Sequence, residues 1–179
     1  MGNKSKEDSP RFKIFRKFEG YGYIDKTGKE VIPCRFYDTG GFYEGLARVW
    51  LDDKWGFIDK TGKEVIPCIY DGADNFREGL AIVELDGKYG YIDKSGKEVI
   101  PCKYDHLSGF YEGLAKVELD GKYGFIDKSG KEVIPCKYDN ILYHEPGYFS
   151  EGLAEVRLDD SHWAWIDKKG KEVVVFDER

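Results

Sequence analysis

Several features are scarce in this chain of 179 residues, and each scarcity excludes a class of protein. No run of 18 apolar residues occurs, so no segment is long enough to span a membrane as a helix. Lysine and glutamate are interspersed with a net charge of −6, and no basic stripe is present. The sequence therefore predicts neither a membrane span nor a nucleic-acid partner.

Close pairs of cysteines are also missing. Cys34, Cys68, Cys102 and Cys136 each follow a proline and lie 34 residues apart. Structural zinc sites usually bring ligands in pairs such as C-x-x-C, and positions three strands apart would be about 14 Å from each other, beyond disulfide range. We expect reduced, half-buried packing residues, with no metal and no cofactor. Because Met1–Pro10 also lacks an apolar signal core, we expect a cytoplasmic location.

What the chain does contain is one phrase written five times. Residues 86–105 and 120–139 agree at 19 of 20 positions, and related phrases begin at Tyr21, Trp55 and Trp163. The copies start at 21, 55, 89, 123 and 163, so the spacing is 34 residues three times and then 40. A fixed period of this length indicates one supersecondary unit repeated in tandem.

Each copy is predicted to form three antiparallel strands. In the fourth copy, Leu114–Leu119 alternates apolar and polar side chains, which is typical of a half-buried strand. Asp120-Gly121 predicts a type I′ hairpin turn, and Lys122–Asp127 a second strand. A turn that ends in a left-handed glycine leads to a third strand, Glu132–Tyr138, whose proline belongs at an edge, a bulge or the strand's end.

The predicted fold class is all-β, a tandem array of five ~34-residue three-stranded antiparallel β-meander repeats. The array forms an open, twisted, solenoid-like stack or, alternatively, a closed five-blade propeller-like ring. A helical repeat of the same period is rejected, because glycines and a proline interrupt every stretch long enough for a helix. Residues 1–11 are predicted to be a disordered leader and residues 12–179 a single array. Its units are approximately 12–41, 42–75, 76–109, 110–148 and 149–179.

The phrase E-G-L-A-x-V-x-x-x-x-K-[WY]-G-[YF]-I-D-x-x-G-K-x-V-I-P resembles the WG repeat family, whose arrays occur mainly in bacterial proteins. Residues 55–59, WGFID, carry the name-giving pair, and the similarity extends over residues 12–179. The chain departs from the pattern where EGLA is missing before Tyr21, where Ala164 replaces the glycine, and where no proline stands near Val175. The resemblance implies β-rich repeats with an interaction role, and it supplies no catalytic residues.

Rows of identical polar residues recur at fixed positions in the copies. An aspartate opens each I-D-K-x-G turn and can accept backbone amides there, whereas a calcium loop would need several carboxylates at alternate positions. A glutamate precedes glycine before the first strand, where it either closes its loop or belongs to an acidic binding row. The Gly-Lys pairs are followed by glutamate and a strand, which does not fit a phosphate loop. The two acidic rows are Asp25, Asp59, Asp93, Asp127 and Asp167, and Glu44, Glu78, Glu112 and Glu151.

Two aromatic rows are predicted to form a core between strands, although an exposed part of them would bind peptide or carbohydrate by stacking. The first row is Tyr21, Trp55, Tyr89, Tyr123 and Trp163, and the second is Tyr23, Phe57, Tyr91, Phe125 and Trp165.

The linker between Asp139 and Gly152 interrupts the repeat, because it is five residues longer than its equivalents. Insertions in arrays map to loops on one face, often the binding face, although this one could simply cap the last repeat. The candidate binding residues are Tyr143, His144, Tyr148, Phe149, Trp163 and Trp165.

An array presents each side chain as a row of copies, whereas catalysis needs different groups that converge on one point. We therefore expect no enzyme, and no catalytic residue is predicted. The predicted function is that of a non-catalytic binding or scaffold module that presents an extended β-repeat surface to a protein or peptide. The alternatives are carbohydrate or cell-wall glycan binding through an exposed aromatic row, and a structural spacer without a ligand.

Overall fold

The computed structural model describes residues 12–141 and 149–177, and every regular element in these ranges is a β-strand. The all-β tandem architecture predicted from the sequence is confirmed. The predicted leader, residues 1–11, lies outside the described residues. The strands are, in chain order, β1 (Lys13–Lys17), β2 (Gly20–Ile24), β3 (Glu30–Phe36), β4 (Asp38–Tyr43), β5 (Leu46–Leu51), β6 (Lys54–Asp59), β7 (Glu64–Tyr70), β8 (Gly72–Ala73), β9 (Leu80–Leu85), β10 (Lys88–Asp93), β11 (Glu98–Tyr104), β12 (His106–Leu107), β13 (Leu114–Leu119), β14 (Lys122–Asp127), β15 (Glu132–Tyr138), β16 (Asn140–Ile141), β17 (Leu153–Arg157), β18 (His162–Asp167) and β19 (Glu172–Asp177).

These strands form five antiparallel sheets, one for each copy of the phrase. Their orders are β1-β2-β3, β4-β5-β6-β7, β8-β9-β10-β11, β12-β13-β14-β15 and β16-β17-β18-β19. Neighbours in every sheet are consecutive in the chain, so each sheet is a meander. The third long strand of each copy (β3, β7, β11, β15 and β19) lies at an edge of its sheet.

The structure differs from the sequence-based prediction by a fourth strand in four of the five sheets, which is six residues long in β4 and two residues long in β8, β12 and β16. This strand directly follows the third strand of the preceding copy and pairs with the first long strand of its own sheet. In the fourth sheet, for example, His106 pairs with Glu118 and Leu107 with Val117. A two-residue strand is too short to show the period-2 pattern from which strands are predicted.

The chain divides into two compact units. The first unit runs to Gly87 and also contains Tyr91–Glu98, and the second consists of Lys88–Gly90 and the residues from Val99 onward. The arrangement of the repeats as an open stack or a closed ring stays a prediction.

The hairpin turn between the first two long strands follows the sequence signal. Asp120 and Gly121 have φ angles of 52° and 72°, and Asp86 and Gly87 have φ angles of 52° and 73°. A type I′ turn needs positive φ at both central residues, so the predicted turn is confirmed in both copies. In the second copy two aspartates, Asp52 and Asp53, take up the same conformation with φ angles of 52° and 60°.

The glycine of the WG pair faces a bulge in the third strand. Tyr123 pairs with Tyr138 and Phe125 with Ile134, so β15 carries two more residues than β14 across this interval. The bulge contains Pro135, and a Cβ on Gly124 would lie 2.5 Å from the Ile134 carbonyl oxygen. No side chain fits there, which explains why glycine occupies this position in four copies.

The last copy lacks both the glycine and the bulge. Trp163 pairs with Phe176, Ala164 with Val175 and Trp165 with Val174, without any shift in register. From Glu172 to Phe176, the partner of Trp163, the third strand here has two residues fewer than from Glu132 to Tyr138, the partner of Tyr123, because the Pro-Cys pair is absent. With no bulge over it, Ala164 can carry its methyl group, so the two departures from the repeat pattern have one cause.

The core of each unit lies between successive sheets. In the first unit Tyr23, Ile32 and Phe36 of one sheet pack with side chains of the next, including Val49. In the second unit Phe125 and Ile134 pack with Phe149 and Val156 in the same way. In both clusters one copy buries its apolar face by contact with its neighbour, as expected of a tandem array.

Candidate functional site

The aspartate row forms turns, as predicted. Asp127 Oδ1 accepts hydrogen bonds from the backbone amides of Ser129 at 2.8 Å and Lys131 at 3.1 Å, and from the Ser129 hydroxyl at 2.6 Å. The hydroxyl bond, with the amides, holds the pKa of Asp127 below its usual value. The same two amide bonds recur at Asp25, Asp59, Asp93 and Asp167. Each carboxylate is therefore engaged by its own turn.

The glutamate row also lies in turns, which the sequence analysis did not predict. Each glutamate adopts a left-handed backbone conformation, and so does the glycine after it. The φ angles are 50° for Glu44, 52° for Glu78, 48° for Glu112 and 51° for Glu151. Positive φ is uncommon for residues other than glycine, and mostly found at Asn, Asp and His, so Glu-Gly gave no clear hairpin signal.

The glutamate side chains join one copy to the next. Glu44 Oε2 accepts a hydrogen bond from the Gly79 amide at 3.0 Å and lies 2.9 Å from Lys94 Nζ. The predicted structural role is thus found at Glu44, but its bond goes to the turn of the following copy and not to its own loop.

The same link occurs in the second unit. Glu112 Oε2 lies 3.1 Å from the Gly152 amide and 3.0 Å from Lys168 Nζ. The hydrogen bond from Lys168 is the main cause that holds the pKa of Glu112 below its usual value. The carboxylate is therefore ionised at neutral pH, as the link requires.

A lysine–aspartate ion pair joins the hairpin turn of one copy to the hairpin turn of the next. Lys54 Nζ lies 2.5 Å from Asp71 Oδ1, and the second carboxylate oxygen accepts a hydrogen bond from the Asp86 amide at 2.9 Å. The same pairs are Lys88 with Asp105 and Lys122 with Asp139. These aspartates therefore bind the hairpin lysine of one copy, and Asp71 also binds the hairpin turn of the next.

The aromatic rows form the core, as predicted, with one exception. In the second row Tyr23, Phe57, Tyr91 and Phe125 are buried, whereas Trp165 is 38% exposed. The buried rings meet a phenylalanine of the following copy, at ring-centroid distances of 5.0 Å for Tyr23–Phe42, 4.9 Å for Phe57–Phe76 and 4.7 Å for Phe125–Phe149. In the first row Trp55 and Trp163 are buried, and Tyr21, Tyr89 and Tyr123 are half-buried.

The cysteines are half-buried and free, in agreement with the packing role expected of them. The thiol of Cys34 lies 3.8 Å from the Phe15 carbonyl oxygen, and that of Cys68 lies 4.0 Å from the Val49 carbonyl oxygen. Burial raises the pKa of both Cys68 and Cys136 to about 11. Thiols with such a pKa are poor nucleophiles at neutral pH.

The candidate binding residues fall into three groups. Tyr143, His144 and Tyr148 lie outside the described residues. Phe149 and Trp163 are 2% and 6% exposed, so both side chains belong to the core and offer little surface to a ligand. Phe149 occupies the repeat position of Phe42 and Phe76, a signal available in the sequence as the phenylalanine two residues before each Glu-Gly. Trp165 alone of the described candidates presents its ring to solvent.

Two other rows are exposed and differ from copy to copy. The residue after Pro-Cys, on the outer part of the bulge, is Arg35, Ile69, Lys103 or Lys137, and all four are exposed. We call these four residues the bulge row. The residue before Glu-Gly is Tyr43, Arg77, Tyr111 or Ser150, again exposed in every copy, and these form the turn row. Sequence reasoning looked for repetition and therefore passed over positions whose signal is variation.

Two searches of the described part of the chain found nothing. It contains no helix long and apolar enough to cross a membrane. Among the same residues, no group of three or more His, Cys, Asp or Glu side chains is arranged to hold a metal ion.

The chain resembles solved structures at low sequence identity. Hsv2 of Kluyveromyces lactis is 9% identical with a TM-score of 0.50, and the match covers 94% of this chain and 61% of that one. BamB from Moraxella catarrhalis is 12% identical with a TM-score of 0.47, covering 93% and 58%. The computationally designed Ika8 protein is 12% identical with a TM-score of 0.47, covering 88% and 56%. The chain thus spans less than two thirds of the length of each, and the likeness to Hsv2 concerns the fold alone.

No curated protein matches the chain. The model of a protein family does, and its description is "WG containing repeat". It matches four times in succession, at residues 21–55, 55–89, 89–123 and 123–160, which is well over half of the chain. The four matches begin at residues 21, 55, 89 and 123, which are the start points of the first four copies of the repeated phrase. The chain belongs to the family of the WG containing repeat.

Proposed function

We propose that the chain is a non-catalytic binding module that recognises a protein or peptide through its exposed, variable side chains. One observation carries this proposal. The residues that recur in the copies form the turns, the links between copies and the core, whereas the bulge row and the turn row vary and face solvent. Exposed positions that change along a constant scaffold are suited to distinguish one partner from another.

The chemistry of the exposed rows supports a polypeptide ligand. Tyr43 and Tyr111 are large aromatic side chains exposed beside tight turns, and Ile69 adds an exposed apolar contact. The bulge row otherwise carries Arg35, Lys103 and Lys137, so the surface combines aromatic, apolar and cationic contacts. Of these, tyrosine (Tyr43 and Tyr111) and arginine (Arg35) are residue types enriched in protein interfaces. A spacer without a ligand would not need such side chains.

The edges of the interior sheets favour recognition by side chains over addition of a strand. The third long strands of the first four copies are edge strands, and each carries a proline at its bulge. Proline removes a hydrogen-bond donor, and a bulge bends the strand, so both features disfavour pairing with another strand.

The glycan alternative loses its main support. It required an exposed aromatic row, and Trp55 and Trp163 are buried while Trp165 stands by itself. A single exposed indole does not make a continuous stacking platform.

The histidine with the most acidic surroundings does not resemble a catalytic group. His162 Nδ1 lies 2.8 Å from Asp159 Oδ1 and 3.2 Å from the Ser161 hydroxyl. A serine triad needs the nucleophile on one imidazole nitrogen and the acid on the other, whereas here both lie at Nδ1. The non-catalytic part of the proposal rests on this geometry and on the structural use of the acidic rows.

The free, half-buried thiols support a cytoplasmic location, which is part of the proposal.

Selection of peptides from a displayed random library tests the proposed function. Peptides enriched on the intact chain should bind a variant with Ile69→Asp and Tyr111→Ala at least tenfold more weakly, as measured by calorimetry. The matched control is Lys97→Ala, which alters an exposed residue of a recurring turn and should leave the affinity unchanged. Equal binding by both variants, or no enrichment over an unrelated β-protein, would overturn the proposal.

A further inference from the structure

The turn glycine of each copy covers an isoleucine of the preceding copy. A Cβ placed on this glycine would lie 3.1 to 3.3 Å from the isoleucine side chain in four pairs: Gly62 with Ile32, Gly96 with Ile66, Gly130 with Ile100, and Gly170 with Ile134. All four isoleucines are 1% exposed. This contact is therefore the regular way in which one copy closes over another.

The first and last copies each hold one half of this contact. Around Gly28, the turn glycine of the first copy, no atom lies within 4 Å of where a Cβ would stand. Val174 occupies the isoleucine position of the last copy, since Ile166 pairs with Glu172 as Ile126 pairs with Glu132, and it is 53% exposed. The turn at Gly28 therefore meets no side chain at this position, and Val174 is about half exposed where the four isoleucines are buried.

The glutamate–lysine ion pair between successive copies also has one partner in the last copy and the other in the first. Each link joins the glutamate of one copy to the lysine after the turn aspartate of the next, as in Glu44–Lys94 and Glu112–Lys168. Glu151 of the last copy and Lys26 of the first occupy the corresponding positions, and neither makes an ion pair among residues 12–141 and 149–177. Within these ranges the last copy thus carries an unpaired acid, Glu151, together with the exposed Val174, and the first copy carries an unpaired base, Lys26, together with Gly28.

The last sheet also has an unprotected edge. β19 lacks the Pro-Cys bulge of the other third strands, and Val173, Val174 and Val175 are about half exposed. Trp165 lies on the neighbouring strand at the position of Phe125, which the following copy covers with Phe149. Val174 pairs with Trp165, so these two exposed side chains lie on one face of the sheet and offer an apolar contact there, whereas Val173 and Val175 point to the opposite face.

We propose that this end binds the first repeat of a second copy of the same chain, head to tail. The Asp25–Lys29 turn of one molecule packs on Val174 of the other, with Gly28 in the position that Gly170 takes over Ile134. Lys26 then pairs with Glu151. The contact repeats, between two molecules, the interface that already joins successive copies within one. It is independent of the proposed recognition of a peptide by the bulge and turn rows.

Such a contact uses different surfaces on the two molecules, so it is heterologous and can continue from molecule to molecule. Sedimentation velocity over a concentration series should therefore show species larger than the monomer, increasing with concentration. Val174→Asp places a charge in the apolar contact and should weaken association more than tenfold. Val65→Asp is the matched control. Val65 is an exposed valine in the third strand of the second copy, directly before Ile66, which is the counterpart of Val174. This substitution should leave association unchanged.

A charge exchange gives a test that does not depend on the valine. Lys26→Glu places two acids opposite each other, Glu151→Lys two bases, and each variant alone should associate about two- to fivefold more weakly than the unchanged chain. An equimolar mixture of the two variants restores opposite charges at every contact and should recover the original association. A monomer at all concentrations, no effect of Val174→Asp, or no recovery in the mixture would each overturn the proposal.

Discussion

The thiols of Cys68 and Cys136 give a direct measure of packing at individual residues. Burial raises the pKa of both to about 11, so at pH 7 the native protein holds about 100-fold less thiolate than an ordinary cysteine with a pKa near 9. In a variant whose other two cysteines are serine, a chromogenic disulfide reagent should react with the native protein about 100-fold more slowly than with the chain in denaturant. The rate in the native state should rise steeply as the pH approaches 11. Native and denatured rates within a few-fold of each other at pH 7 would contradict the burial.

The turn aspartates predict how stability depends on acid. The pKa of Asp127 is lowered in the folded chain, so its contribution is fully present above its unfolded pKa and is lost as the pH falls through the folded value. Asp127→Ala should lower the melting temperature by a few degrees at pH 7, and the difference from the unchanged chain should shrink as the pH falls below about 4, toward the difference between a neutral oxygen acceptor and alanine.

Asp127→Asn is the matched control, because the asparagine amide oxygen can still accept the two backbone hydrogen bonds and the side chain has no titratable charge. It should cost less than the alanine variant. A difference between the alanine variant and the unchanged chain that stayed the same from pH 7 to pH 2 would show that the carboxylate charge is not what stabilises the turn.

The third strand shows how one feature of the sequence accounts for another. Gly124→Ala should destabilise the chain by about 1–3 kcal/mol, because its Cβ would collide with the Ile134 carbonyl in the bulge. Deleting Pro135 and Cys136 should convert this copy to the regular pairing of the last one, in which Ala164 faces Val175. In that background the same Gly124→Ala substitution should be neutral or stabilising by about 0.5–1 kcal/mol, since glycine weakens a strand interior.

Urea unfolding of the four chains in this double-mutant cycle measures the change of sign. The control is Ala164→Gly, which should cost less than 1 kcal/mol in the last copy. Equal destabilisation by Gly124→Ala with and without the bulge would contradict the proposed dependence between the two positions.

The strands themselves were predictable where the sequence carries local physics. The alternation of apolar and polar residues predicted the strand Leu114–Leu119, and Asp120-Gly121 predicted the hairpin turn that follows it. The short strand His106–Leu107 was not predictable, because two residues show no periodicity and their pairing depends on the neighbouring copy. Glu112-Gly113 likewise gave no turn signal, since positive φ is uncommon for glutamate.

For the molecule as a whole, repetition predicted the architecture well and the site poorly. The repeated phrase is almost entirely used for folding, so a search for recurring functional groups finds turns, links and core. Phe149 is part of the long linker, yet its position two residues before Glu-Gly assigns it to the core. The exposed differences, such as Tyr43, Arg77 and Ile69, gain meaning only when the structure separates surface from core.

The number of copies provides a test of how the repeats are arranged. We predict an open stack, in which the stability is approximately a sum over copies and their nearest-neighbour contacts. Inserting a second copy of residues 106–139 after Asp139 should then give a folded chain with a higher melting temperature. The slope of its unfolding free energy against urea concentration should be steeper by about a fifth, in proportion to the added length. A closed ring sized for five copies would have to open or strain to accept a sixth, so a lower melting temperature with loss of cooperative unfolding would favour the ring.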